Sequence, residues 1–136
     1  MTPDAGARGV RMKLSGLLLA KAIVSVAFGL AFIAVPTQVL SLCGVELEPI
    51  GEVLARMIGA CLTGIGLVCW CAKSFEAQAR QAIALSLCIA DTIGFAIMFI
   101  AQRSGLLNEL GWIIVAFWFL FAAGLGYFRF FKPDVE

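Results

Sequence analysis

The chain has 136 residues, of which 62% are hydrophobic and 14% charged, with a mean hydropathy of +1.00 and a net charge of +1. Soluble domains are about half apolar and about a quarter charged, so this is a membrane composition: four spans of about 20 residues would use about 80 residues and leave no soluble domain. The charge balance leaves no electrostatic footprint for nucleic acid, and the lack of histidine removes Ser/His/Asp triads, Cys/His dyads, histidine haem ligation and the usual zinc sites.

Residues 1–13 are polar and carry Arg8, Arg11 and Lys13, which predicts a flexible basic tail. The apolar run from Leu14 to Val35 is the first predicted span, 14–35. A secretory signal is the competing reading. A hydrophobic core of about 7 to 15 residues, free of charge and followed by an A-x-A site, would support it, but this run is longer, contains Lys21 and lacks that site. The stretch PTQVLSLCGVELEPIGE follows. Thr37 is a candidate N-cap for a turn or two of surface helix before Gly44, with an extended loop as the alternative.

The second span is predicted at about 53–72. Pro49 suits a helix first turn, and Glu52 places negative charge at the positive end of the dipole. The polar stretch KSFEAQARQ can extend the third span, about 82–101, with Ser74 as a candidate N-cap. Gly105 is placed to stop that helix and Asn108 to start the next. The fourth span is predicted at about 111–128, followed by Arg129, Lys132 and a short tail, 132–136. Short connections favour antiparallel neighbours. The expected fold is therefore all-α, a single four-transmembrane-helix up-and-down bundle over residues 14–131.

Basic residues set the expected orientation. Arg8, Arg11, Lys13, Lys73, Arg80, Arg129 and Lys132 fall on one side, against Arg103 and the near-edge Arg56 on the other. Both termini are thus expected in the cytoplasm. The opposite face would carry Glu46, Glu48, Glu52 and Glu109. Trp70 and Tyr127 would lie at the inner interface and Trp112 at the outer one, where amphipathic rings prefer to be.

Three charges lie inside apolar runs: Lys21, Arg56 and Asp91. A charge near the bilayer centre costs about 2.5 to 3.5 kcal/mol on insertion scales, so it normally faces the bundle interior and finds a partner. Asp91 lies roughly 14 Å into its span and Lys21 roughly 10 Å into its own, at 1.5 Å per residue. A buried Lys21/Asp91 pair between the first and third spans is the sharpest expectation. It could fix helix register or serve as a proton or ligand site. Otherwise Lys21 snorkels to the headgroups and Asp91 stays protonated. Arg56 has Glu52 four residues earlier on the same helical face, which points to a local salt bridge or an outer-edge anion site.

Pairs of small residues four apart occur in each span: Ser25/Gly29, Ala60/Gly64, Ala90/Gly94 and Ala122/Gly126. This spacing lets helix backbones approach closely where the hydrophobic effect cannot drive packing. In the fourth span Trp112, Phe117, Trp118 and Phe121 are expected to form an aromatic surface toward lipid, a flat apolar ligand or a partner protein. Cys43, Cys61, Cys69, Cys71 and Cys88 spell neither a C-x-x-C redox pair nor a four-ligand metal site. They read as small apolar side chains, and no cofactor or metal is expected.

With four spans, basic loops on one side and the Arg-Met-Ile-Gly-Ala stretch at Arg56 to Ala60, the chain resembles the small bacterial four-helix membrane proteins of the DoxX-like type. That resemblance implies a bacterial inner-membrane location, and its members are associated with quinone-linked oxidation, redox stress and accessory roles. It assigns no residue here, and this chain departs from it in lacking a quinone-site signature and a redox cysteine pair. The expected function is non-enzymatic. The chain would act through helix–helix contacts as an accessory subunit or assembly factor, with the lipid bilayer and another membrane protein or a second copy as partners. The alternative is a binder or transporter of a small molecule, proton, lipid or quinone at Lys21/Asp91. An enzyme acting on lipid or quinone is the third reading.

Overall fold

The computed structural model describes residues 14–132, so the predicted tails lie outside the described residues apart from Lys132. Five helices follow in order: α1 (Leu14–Ala34), α2 (Pro36–Ser41), α3 (Pro49–Ala72), α4 (Ala77–Arg103) and α5 (Gly111–Phe130). There is no strand among the described residues. The four longer helices, α1, α3, α4 and α5, are each long and apolar enough to cross a membrane.

Proline and glycine set the boundaries. Pro36 and Pro49 open α2 and α3 from within the first turn, where the missing N–H leaves no bond unmade. The second span therefore begins at Pro49 rather than near Val53, and Val35, not Thr37, caps α2. The third span runs from Ala77 with Glu76, not Ser74, at the cap, because the polar KSFEAQARQ stretch contains good helix formers. Gly105 ends α4 with φ +74. The N–H groups of Gly105 and Leu106 donate to the carbonyls of Gln102 and Ala101, closing a Schellman motif that side chains with a Cβ rarely allow. Gly44, with φ +78, ends α2 through the same pair of bonds, from Gly44 to Ser41 and from Val45 to Leu40.

The long helices form two closely packed pairs, α1 with α3 and α4 with α5, which meet each other much more sparingly. Gly29 and Gly59 bring α1 and α3 to backbone contact: a Cβ on Gly59 would lie 2.6 Å from the Gly29 carbonyl oxygen, and one on Gly66 would lie 2.6 Å from Val26. Between α4 and α5, Gly94 receives the Trp118 ring, and a Cβ there would lie 2.5 Å from it.

Three tiers join the pairs. At the end where α1 begins and α5 finishes, called the terminal end below, Leu14, Leu18, Cys69, Ala72, Ala84 and Leu125 form one apolar cluster. Lys21 and Asp91 meet farther along. At the opposite end Asn108, between α4 and α5, reaches the loop after α2. Its N–H donates to the Cys43 carbonyl at 2.9 Å and its side-chain Nδ2 to that of Leu42 at 2.8 Å.

Candidate functional site

On α1 the buried residues Leu14, Leu18, Lys21, Ser25 and Gly29 recur every three or four positions, so one stripe of the helix faces inward. Lys21 belongs to that stripe. On α4 the inward stripe holds Ala84, Asp91 and Gln102, and the two charges meet across the bundle. Lys21 Nζ donates to Asp91 Oδ1 at 2.7 Å and to Oδ2 at 2.8 Å. Lys21 is 6% exposed and Asp91 2%.

α5 completes the surroundings. Its inward stripe of Gly111, Val115 and Leu125 brings Trp118 and Phe121 over the ammonium, with Lys21 Nζ 4.7 Å from the Phe121 centroid and 5.9 Å from that of Trp118. A cation over an aromatic face gains about 0.5 to 2 kcal/mol, toward the upper figure when desolvated. An ammonium has three donors: the carboxylate takes two, and the rings flank the rest. Cys69 on α3 is fully buried in the apolar cluster toward the terminal end. Three of the long helices, α1, α4 and α5, thus contribute to one centre.

This geometry overturns part of the expected aromatic surface. Trp118 and Phe121 turn inward to the ion pair, while Trp112 and Phe117 are exposed. Rings occur on every side of α5, so composition gave no inward direction. The three-residue step from Val115 to Trp118 was the available signal. Phe117 meets Phe28 of α1 edge-on at 6.2 Å, and Trp112 meets Phe99 of α4 at 6.0 Å.

The small-residue pairs also divide. Ser25 and Gly29 are buried; Cys88 Sγ donates to the Ala122 carbonyl at 3.4 Å and lies beside Gly126. Gly94 packs on Trp118, but Ala90, four residues earlier, is exposed. Ala60 and Gly64 are both exposed, and a Cβ at Gly64 would meet nothing within 4 Å, so this pair is not used inside the bundle. The face that α3 gives to α1 is instead Ala55, Gly59 and Gly66. Small spacing marks a possible close approach on a helix that has two such faces, and it does not say which one a neighbour uses.

Arg56 Nη2 donates to Glu52 Oε1 at 2.6 Å, with the side chains 50% and 39% exposed. Of the five cysteines, Cys43 and Cys69 are buried, Cys61 and Cys71 exposed, and all are free. Asn108 is the other polar centre. Besides its bonds to the α2 loop, its Oδ1 accepts from the Leu110 N–H at 3.0 Å, and its carbonyl accepts from Gln102 Nε2 and the Gly111 N–H, each at 3.0 Å. Gln102 Oε1 lies against Gly111, where a Cβ would collide with it. The sequence marked Asn108 as a helix start; its long-range bonds had no local signal.

No curated protein and no solved structure matches the chain. A family model, the domain of unknown function DUF8292, matches residues 3–128, a stretch that takes in the Lys21–Asp91 centre, the aromatic rings around it and the Asn108 junction, and the chain belongs to that family.

Proposed function

We propose that the protein is an integral membrane protein that acts without catalysis, as an accessory subunit or assembly factor that receives a transmembrane helix of a partner protein on the outer face of α3. The observation that carries this reading is the Ala60/Gly64 ridge, a small-x-x-x-small surface that the bundle itself leaves uncovered. Such a ridge permits backbone approach by another helix, the main source of association in lipid. Beside it Leu67 and Trp70 border an apolar groove of about 380 Å³ shared with Ile23, Val26 and Ala27 of α1. The ion pair supports the same reading, because its charges are matched to each other and buried.

In this reading both termini face the cytoplasm of a bacterial inner membrane, as the distribution of Lys and Arg favours. The DoxX-like resemblance supports that setting. The test is purification in mild detergent from native membranes of the unaltered chain and of Gly64→Leu. The unaltered chain should come down with a larger membrane protein in fixed stoichiometry. Gly64→Leu should lose that partner while melting at the same temperature. An isolated monomer, or a homo-oligomer that carries a bound small molecule, would overturn the proposal.

A second reading makes Lys21 and Asp91 a site for a proton or small ligand. It is favoured by the meeting of two opposite charges at one buried centre. Replacing the pair together, Lys21→Met with Asp91→Leu, separates the two: the accessory reading expects the partner to be retained, and the second reading expects the bound small molecule to be lost.

A further inference from the structure

The inward face of α4 continues past Ala84 to Gln81, three residues earlier, and that of α5 continues past Leu125 to Arg129, four residues later; such spacings share a helix face. Ala84 and Leu125 belong to one apolar cluster. In the antiparallel register Gly94 packs on Trp118, and nearer the terminal end Cys88 packs on Ala122 and Gly126. Two turns farther the same register brings Gln81 level with Arg129. Both side chains therefore stand at the terminal mouth of the bundle, where apolar packing ends.

Their polar atoms are not satisfied. Gln81 Nε2 and Oε1 and Arg129 Nε are out of contact with solvent and have no hydrogen-bond partner. Leaving a buried donor or acceptor unmatched is costly, and here three such atoms lie at one level of α4 and α5. Arg129 enters no ion pair among the described residues; its guanidinium lies 5.8 Å from the Phe130 ring. The same end carries Lys73 and Lys132, so its field is positive. It also lies at the level where a spanning bundle meets lipid headgroups.

We propose that Gln81 and Arg129 form a binding site for the headgroup of a hydroxyl-bearing anionic phospholipid of the phosphatidylglycerol type. The guanidinium fork matches phosphate oxygens, and a basic mouth between transmembrane helices suits an anionic headgroup. Gln81 Nε2 adds a donor to the phosphate, and Gln81 Oε1 accepts from a headgroup hydroxyl. The site is independent of the α3 ridge and does not rest on a protein partner.

The test is the melting temperature of the full chain in neutral detergent with phosphatidylglycerol, phosphatidylmethanol, phosphatidylcholine or inorganic phosphate. At about a hundredfold excess over Kd, phosphatidylglycerol should raise Tm by about 5 °C or more relative to phosphatidylcholine. Phosphatidylmethanol, which lacks the hydroxyl, should raise it less. Arg129→Gln should abolish the gain, and Arg129→Lys, which keeps the charge but not the fork, should retain only part of it. Gln81→Leu should erase the difference between phosphatidylglycerol and phosphatidylmethanol. Arg103→Gln, at the opposite end of α4, should leave the gain intact. An equal gain in Arg129→Gln, or the full gain from inorganic phosphate alone, would overturn the assignment.

Discussion

The α1–α3 contact and the seam between the two helical pairs rest on different physics. Between α1 and α3, Gly29 and Gly59 let backbones touch, and the contact extends over most of both helices. Many weak dispersion contacts share the load there. The seam touches far less, and its middle depends on one ammonium, one carboxylate and two rings. Shape tolerates small errors at any single position, because neighbouring contacts persist. The middle of the seam has no such reserve: loss of either partner leaves the other charge buried. The molecule is thus two firm pairs joined by one apolar cluster at the terminal end and, beyond it, by a few specific polar contacts.

The largest effect should come from unbalancing the seam. Asp91→Ala, with Lys21 retained, should lower stability by about 3 to 5 kcal/mol, the usual result of leaving a buried charge unmatched. Denaturant unfolding in mixed micelles would measure it. Replacing both residues, Lys21→Met with Asp91→Leu, should recover all but about 1 kcal/mol, because a well-packed apolar pair is about as stable as a buried ionic one. A double replacement as damaging as the single one would show that the charge, rather than its balance, holds the pairs together.

Gly59→Val attacks the other side of the comparison. Its side chain would be driven into the Gly29 carbonyl and Phe32, and overpacking of this kind costs about 1 to 3 kcal/mol. Cysteine crosslinking between α1 and α3 should weaken in this variant, while crosslinking between α4 and α5 should not. Asn108→Ala removes the side-chain bonds to Leu42 and Leu110 but keeps the backbone bond to Cys43. It should cost about 1 kcal/mol and speed amide exchange in the loop after α2. The smallest effect is expected at Arg56→Gln, which breaks an exposed i,i+4 pair worth about 0.5 kcal/mol or less. A thermal melt should barely register it, in contrast to a break in the Lys21–Asp91 pair.

Much of this layout was legible in the residues. Continuous apolar runs give spans wherever the bilayer demands about 20 residues, and proline and glycine mark their ends by backbone rules that need no tertiary partner. Depth alone made Lys21 and Asp91 compatible, because position along a helix axis converts directly to distance. Azimuth was harder. A helix apolar all round has lipid on one side and protein on the other, and the two look alike by hydropathy. That is why Trp118 and Phe121 were expected on the surface, and why Ala60/Gly64 was preferred to Ala55, Gly59 and Gly66. The bonds of Asn108 to Leu42 and Cys43 and the buried, unmatched amide of Gln81 depend on how loops and helix ends come together in space, which spacing within one segment cannot express.

The ion pair also has a meaning in time. Lys21 and Asp91 are 70 residues apart, and a chain is synthesised from its N-terminus at about 5 to 20 residues per second. For roughly 4 to 14 s after its synthesis Lys21 has no counter-charge, and for about the last 1 to 4 s of that interval the nascent α1–α3 pair is already complete. During that interval the half-made protein must hold Lys21 at the headgroups, in water or against a helper. The arrival of α4 then ends that dependence, and α5 follows with the rings that flank the ammonium.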